Sequence, residues 1–131
     1  MSDAINTFRD LIAWRKAKEL AVNVYRITSG FPTDERYGLT SQIRRASVSV
    51  SANIAEGYAR GTTSEFLRFL RIARGSIAEV DTLVEIATEL RLIAPDDGVI
   101  DQIAEADRVL QGLIASLERR QRANSLARVR A

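Results

Sequence analysis

Neither cysteine nor histidine occurs among the 131 residues of the chain. The lack of cysteine excludes disulfides and thiolate chemistry, and the lack of histidine removes the commonest general base and the commonest nitrogen ligand of metals. We therefore expect no catalytic residue, no metal site and no cofactor. The protein is predicted not to be an enzyme.

Long apolar runs are absent as well. No stretch approaches the roughly 20 apolar residues of a membrane-spanning helix. The opening MSDAINTFRD also lacks the basic flank and apolar run of a signal peptide. We expect a cytoplasmic protein that has no membrane partner.

Charge is distributed unevenly, although the formal net charge is only +2. Residues 1–75 carry 12 Lys and Arg against 7 Asp and Glu, residues 76–118 carry 2 against 10, and residues 119–131 carry 5 against none. The three segments therefore carry +5, −8 and +5. Segregation of this kind steers association with charged partners and says little about the fold.

Two segments combine helical periodicity with a recognisable start. Residues 11–28 form the first predicted helix, with Asp10 as its N-cap. Residues 63–92 form the third, opened by a predicted capping box in which Thr62 and Glu65 satisfy each other's backbone N–H groups.

The fourth predicted helix, residues 95–121, places Pro95 in its first turn, where the missing N–H costs nothing. The two aspartates that follow favour the positive end of the helix dipole. We expect residues 1–121 to form one helical domain, because 46% apolar residues are enough for a real core at this length. Residues 122–131 are predicted to form an Arg-rich C-terminal tail.

The stretch RRASVSVSANIAEGYARG, residues 44–61, is ambiguous, because Ser and Val alternate over residues 47–51 with the period of a strand. Helical spacing holds over a longer stretch, since the apolar positions 39, 43, 46, 50, 54 and 58 are three or four residues apart. We expect residues 44–58 to form one continuous helix, in which Ala and Ser let neighbouring helices approach closely.

Four helices with short connections predict an all-α, up-down-up-down antiparallel four-helix bundle. The third helix carries two apolar rows, which is more than such a bundle needs. The second row is consistent either with broad burial or with self-association, and the pattern leaves both open.

Glu79 lies in this second row, and antiparallel pairing places it level with Arg44 and Arg45. A buried carboxylate costs free energy unless a partner compensates. We therefore predict a structural ion pair between Glu79 and one of these arginines. Asn53 and Glu56, one turn apart, form a weak acid–base constellation without a nucleophile or metal cluster, and we expect no catalysis there.

Several motifs occur in a familiar order: FRDL from residue 8, YGLT from 37, QIRRA from 42, NIAEG from 53 and IARGS from 72. Over residues 8–118 the chain resembles the four-helix-bundle family of 23S rRNA intervening-sequence proteins. The resemblance implies a bundle that assembles as a homopentamer, with no established activity. Accessory proteins of diversity-generating retroelements, which bind a reverse transcriptase and nucleic acid, are a more distant likeness.

Basic residues gather at the end of the predicted bundle where the first and third helices begin. The arginines expected to contact nucleic acid there are Arg60, Arg68, Arg71, Arg74, Arg119, Arg120 and Arg122. They favour binding of RNA or DNA through phosphates, with structured RNA or an RNA–protein complex as partner. The alternative is an oligomeric adaptor that docks a protein partner, favoured by the two-sided apolar helices.

Overall fold

Four α-helices make up most of the computed structural model, which describes residues 4–94 and 97–130. The helices are α1 (Ile12–Thr28), α2 (Leu39–Ala59), α3 (Thr63–Glu89) and α4 (Val99–Arg130). Single turns of 3-10 helix precede α1 and α2, at Phe8–Asp10 and Thr33–Glu35. The described residues contain no strand, which confirms the all-α prediction. Within the same residues, no helix has the combination of length and apolarity that crossing a bilayer requires.

Each helix packs against two neighbours and lies diagonally opposite the remaining one. Both α2 and α4 contact α1 and α3, whereas the described residues bring neither diagonal pair together. Successive helices run antiparallel, so the arrangement is the predicted up-down-up-down bundle. The side chains at its centre are almost completely buried: Leu20, Val24, Ile43, Val50, Ile54, Leu70, Val80, Val84 and Leu110.

The alternating Ser and Val of residues 47–51 lie inside α2, which confirms the predicted continuous helix over residues 44–58. Small side chains allow α2 and α3 to approach closely, since the hydroxyl oxygens of Ser49 and Ser76 are 2.9 Å apart. Ser47 is fully buried and donates to a backbone carbonyl one turn earlier. The stretch therefore uses its small residues for helix packing.

Gly57 lies where α2 presses against α3. A Cβ atom at this position would lie 2.6 Å from the Cβ of Phe69 and 3.2 Å from Cδ1 of Phe66. We expect Gly57→Ala to lower the free energy of unfolding by about 1–3 kcal/mol, because the added methyl group would force the two helices apart. Urea denaturation followed by circular dichroism measures the change.

Gly112 in α4 provides the control, because a Cβ there meets nothing within 4 Å. We expect Gly112→Ala to stabilise the fold by up to about 1 kcal/mol through helix propensity alone. A similar gain for Gly57→Ala would contradict the predicted clash.

Asp10 does not cap α1, contrary to the prediction. The helix begins at Ile12, and its N-cap, Leu11, makes no side-chain hydrogen bond. Asp10 instead belongs to the capping box of the preceding 3-10 turn. Its carboxylate accepts from the backbone N–H of Asn6 at 2.8 Å and of Thr7 at 3.1 Å. These two hydrogen bonds lower the pKa of Asp10 below its ordinary value.

The start of α3 agrees with the prediction in part, and its end does not. The Thr62 hydroxyl accepts from the N–H of Glu65 at 3.2 Å, but the Glu65 carboxylate binds Arg68 at 2.7 Å instead of capping Thr62. The helix ends at Glu89, three residues early, because Arg91 adopts a left-handed backbone with φ of +61°.

The start of α4 also differs from the prediction. The helix begins at Val99, directly after Gly98, whose φ of +85° is incompatible with a right-handed helix. Asp97 precedes the helix, and its carboxylate accepts from the N–H of Val99 at 2.9 Å. The predicted first-turn residues Pro95 and Asp96 lie outside the described residues. Farther along, α4 continues without a break past the predicted tail boundary at residue 121.

Candidate nucleic-acid interface

The C-terminal part of α4 extends past the end of the bundle where α3 begins. Gln121 donates to the Ser64 hydroxyl at 3.2 Å, which places it beside the first turn of α3. Residues 122–130, here called the α4 extension, are all exposed. At about 1.5 Å per residue, the extension continues for roughly 13 Å. It therefore presents its side chains to solvent on a helix with no neighbouring helix alongside.

A groove of about 660 Å³ lies between the α4 extension and the turn that joins α2 to α3. It is lined by Thr62, Thr63, Ser64, Gln121, Arg122, Asn124, Ser125, Leu126 and Arg128. These residues supply hydroxyl groups, amides and two guanidinium groups, and none of them carries a carboxylate. The groove therefore offers hydrogen-bond donors and positive charge to a ligand.

The first turn of α3 adds backbone donors to this groove. Thr62 accepts the N–H groups of Glu65 and Phe66, through its hydroxyl at 3.2 Å and its carbonyl at 2.9 Å. The N–H groups of Thr63 and Ser64 have no acceptor among the described residues. Because the N-terminus of a helix carries partial positive charge, these groups favour an anion such as a phosphate.

Two of the predicted arginines converge on one aromatic ring. The guanidinium carbons of Arg60 and Arg68 lie 4.9 Å and 4.6 Å from the ring centroid of Phe69. Each also pairs with a carboxylate: Arg68 with Glu65 at 2.7 Å, and Arg60 with Glu56 at 3.9 Å. The hydrogen bond from Arg68 lowers the pKa of Glu65 below its ordinary value. Much of the positive charge here is compensated within the chain.

Arg71 and Arg74 connect α3 with α4 in a similar way. Arg71 binds Glu118 at 3.0 Å, and Arg74 lies 3.8 Å from Asp107. All four side chains are partly or largely exposed, so these pairs contribute little stability. They do reduce the charge that these two arginines present to a ligand.

The arginines of the last part of α4 have no such partners in the part of the chain that the structure describes. Arg119, Arg120 and Arg122 are exposed, and no carboxylate of the described residues lies within 4 Å of them. The same holds for Arg128 and Arg130. The predicted basic end therefore contains two groups of arginines. Those on α2 and α3 pair with carboxylates, and those on α4 have no carboxylate partner among the described residues.

Comparison with known proteins identifies the family of this bundle. The sequence profile described as 23S rRNA-intervening sequence protein matches residues 9–114. The chain belongs to that family. Its fold is similar to that of a crystal structure from Bacteroides thetaiotaomicron, a protein of unknown function from the S23 ribosomal protein family. The TM-score is 0.73 at 20% identity, with 79% of this chain and 96% of the other covered. A search of curated proteins finds no match.

The predicted ion pair of this family member is not formed. Glu79 is exposed, and no basic side chain of the described residues lies within 4 Å of it. Arg44 turns toward α1 instead, and Arg45 is exposed. The prediction assumed that the second apolar row of α3 is buried, but Ile72 and Ile86 in that row are 43% and 42% exposed. A carboxylate in this row is hydrated and needs no partner.

The side chains of Asn53 and Glu56 contact other residues of α2. The Asn53 amide donates to the Ser49 carbonyl at 2.8 Å, and Glu56 lies 3.9 Å from Arg60. The described residues contain no group of three acidic side chains placed to hold a metal ion. The two residues therefore act in helix packing and surface pairing.

Proposed function

We propose that this protein is a non-enzymatic, self-associating four-helix bundle that binds RNA through the groove beside the α4 extension. The observation that carries the proposal is the composition of the groove. Arg122 and Arg128 line the same groove as Thr63 and Ser64, whose N–H groups have no acceptor among the described residues, and no lining residue carries a carboxylate. The family description, which refers to 23S rRNA, supports RNA as the nucleic acid and the cytoplasm as its location.

The groove supplies contacts suited to a phosphate backbone. Guanidinium groups bind phosphates as bidentate donors, and the hydroxyl and amide groups of the groove add neutral donors. Such contacts fix the position of a nucleic acid and do not read its sequence. We therefore expect binding of structured RNA with little sequence preference, and phosphate contacts alone would hold DNA of the same charge in the same way.

The α4 extension gives a second reason to expect a partner. The extension continues α4 and needs no nucleation of its own, but its exposed residues gain little beyond their backbone hydrogen bonds, so we expect it to be less stable than the packed part of the helix. Phosphates beside the extension would reduce the mutual repulsion of its three arginines, Arg122, Arg128 and Arg130. RNA binding thus accounts for both the charge and the helical state of the extension.

The test of this proposal is a salt titration of RNA binding. Fluorescence anisotropy of a labelled RNA hairpin should show an affinity that falls steeply with salt, by about 0.7–0.9 in log K per phosphate contact for each tenfold rise. Binding that is absent at low salt, or that does not change with salt, would contradict the proposal.

Self-association is supported by the exposed apolar side chains along α3 and at its C-cap. Ile72, Ile86 and Leu90 are each more than 40% exposed. A second copy of the chain is the partner we propose for this surface, and the family resemblance suggests five copies. A ring would bring several α4 extensions into one assembly and raise its affinity for a long polyanion.

An adaptor that docks a protein partner is the second candidate. Two exposed apolar side chains of the α4 extension favour this function: Leu126 is 60% exposed and Val129 is 84% exposed. A protein partner would cover these two side chains, and its binding would depend weakly on salt. The salt titration therefore separates the two functions.

A further inference from the structure

A second basic pocket lies on α1 and α2, near the end of the bundle opposite the α4 extension. It has a volume of about 390 Å³ and is lined by Tyr25, Ser41, Arg44, Arg45 and Val48. The pocket is shallow and open to solvent, so it suits a ligand that lies against the surface, such as one unit of a polymer. The ion pair with Glu79 that we predicted for Arg44 or Arg45 is not among the contacts of the described residues.

Arg44 is held in a fixed position in this pocket. Its Nε donates to the Thr28 hydroxyl at 2.8 Å, and one terminal nitrogen donates to the Tyr25 carbonyl at 3.4 Å. The guanidinium carbon lies over the Tyr25 ring, 4.6 Å from its centroid. Because a guanidinium group has five N–H donors, Arg44 keeps donors for a ligand after making these contacts.

The charge of the pocket is not compensated by the residues that the structure describes. No carboxylate of residues 4–94 and 97–130 lies within 4 Å of Arg44 or Arg45. This differs from the arginines of α2 and α3 at the other end, which all have acidic partners. The Tyr25 side chain is 46% exposed, so an aromatic surface lies beside two available guanidinium groups.

We propose that this pocket binds an unpaired nucleotide of RNA. The base stacks on the Tyr25–Arg44 pair, and the adjacent phosphate accepts hydrogen bonds from Arg44 and Arg45. Aromatic rings and guanidinium planes are the surfaces on which proteins stack unpaired bases, and arginines hold the neighbouring phosphates. The inference rests on the proposed RNA binding and adds a preference for single-stranded segments that the groove beside α4 does not provide.

The test compares a labelled single-stranded oligouridylate of about eight nucleotides with an RNA duplex of the same length, using the full chain. Tyr25→Leu should weaken binding of the single strand by about tenfold, because one stacked base contributes roughly that factor. Binding of the duplex should be unchanged. Tyr25→Phe keeps the ring and should bind as the wild type does.

Arg45→Ala tests the phosphate contact and does not depend on the Tyr25 variants folding, because Arg45 is exposed. It should lower the salt slope for the single strand by about 0.7. Arg108→Ala is the matched control, since it removes the same charge from an exposed site on α4. Its slope should equal that of the wild type.

Wild-type affinity of Tyr25→Leu for the single strand would overturn the inference, as would equal losses for single strand and duplex. If Tyr25→Leu binds the single strand with wild-type affinity but elutes at a different volume in size-exclusion chromatography, Tyr25 contacts a second copy of the chain. That result would also overturn the inference. The groove beside α4 is tested separately by Arg122→Gln/Arg128→Gln. If that variant binds the single strand and the duplex as the wild type does, while Tyr25→Leu binds the single strand more weakly, the groove is not the RNA site. The nucleotide pocket is then still supported.

Discussion

Replacing Arg122 and Arg128 with glutamine is expected to weaken binding of an RNA hairpin by about a hundredfold at a salt concentration near 0.05 M. Each phosphate contact contributes about 0.7–0.9 to the slope of log K against log salt, which amounts to roughly tenfold in affinity at that concentration. Both side chains line the groove beside the start of α3. The slope of a salt titration should therefore fall by about 1.5.

The double variant Arg119→Gln/Arg120→Gln is the matched control, because it removes the same charge from the same helix outside the groove. Its effect should be several-fold smaller, since neither side chain lines the groove and a charge that contacts no phosphate acts only through screened attraction. Equal losses in the two double variants would mean that the charge of the helix acts without the groove. Wild-type binding by both would exclude the α4 extension as the RNA site.

The sequence predicted the bundle because each helix repeats its apolar residues over several turns. In α2 the helical spacing covers about five turns, whereas the strand-like alternation covers only residues 47–51. A long periodic signal outweighs a short one, because only the longer one can bury a continuous face. The order of the helices then follows from their short connections.

Helix ends were harder to predict, because they depend on single backbone conformations. Arg91 takes the left-handed conformation that ends α3, a position where a glycine would have been recognised. Gly98 marks the start of α4, but Pro95 three residues earlier gave a stronger signal for a helix start. Asp10 has the right composition for an N-cap and serves the preceding 3-10 turn instead.

The candidate site was predictable as a charged segment and not as a groove. The run of five arginines without an acidic residue is visible in residues 119–131. The pairing of Arg71 with Glu118 joins residues 47 positions apart, so only the fold shows which arginines are compensated. The contribution of Asn124 and Arg128 depends on α4 continuing as a helix, and no boundary signal in the sequence indicated that.

Glu79 shows the limit of periodicity in a different way. Helical spacing identifies the residues that share a face, but it does not tell which face meets a neighbour within the chain. The row through Glu79 is buried at Phe69 and Leu83 and exposed at Ile72 and Ile86. An ion pair was therefore predicted for a carboxylate that lies in water.

This half-exposed row supports the second prediction with a large effect. The double variant Ile72→Asp/Ile86→Asp is expected to dissociate the proposed oligomer, because each aspartate replaces an apolar contact worth about 1–2 kcal/mol and places a charge in the interface. Light scattering should then give the single-chain mass of 14.5 kDa at micromolar concentration. The fold should remain intact, since both positions are more than 40% exposed.

The matched control is Ile12→Asp/Ile100→Asp, which places the same charges on α1 and α4. Ile12 and Ile100 are 60% and 53% exposed, so they are at least as accessible as the residues on α3. If the outer face of α3 is the interface, this control should keep the wild-type mass, because added surface charge alone does not separate subunits. Dissociation of both variants would point to general charge repulsion, and an unchanged mass for the α3 variant would place the interface elsewhere. A monomeric wild type would leave the exposed row of α3 without the role in self-association proposed for it.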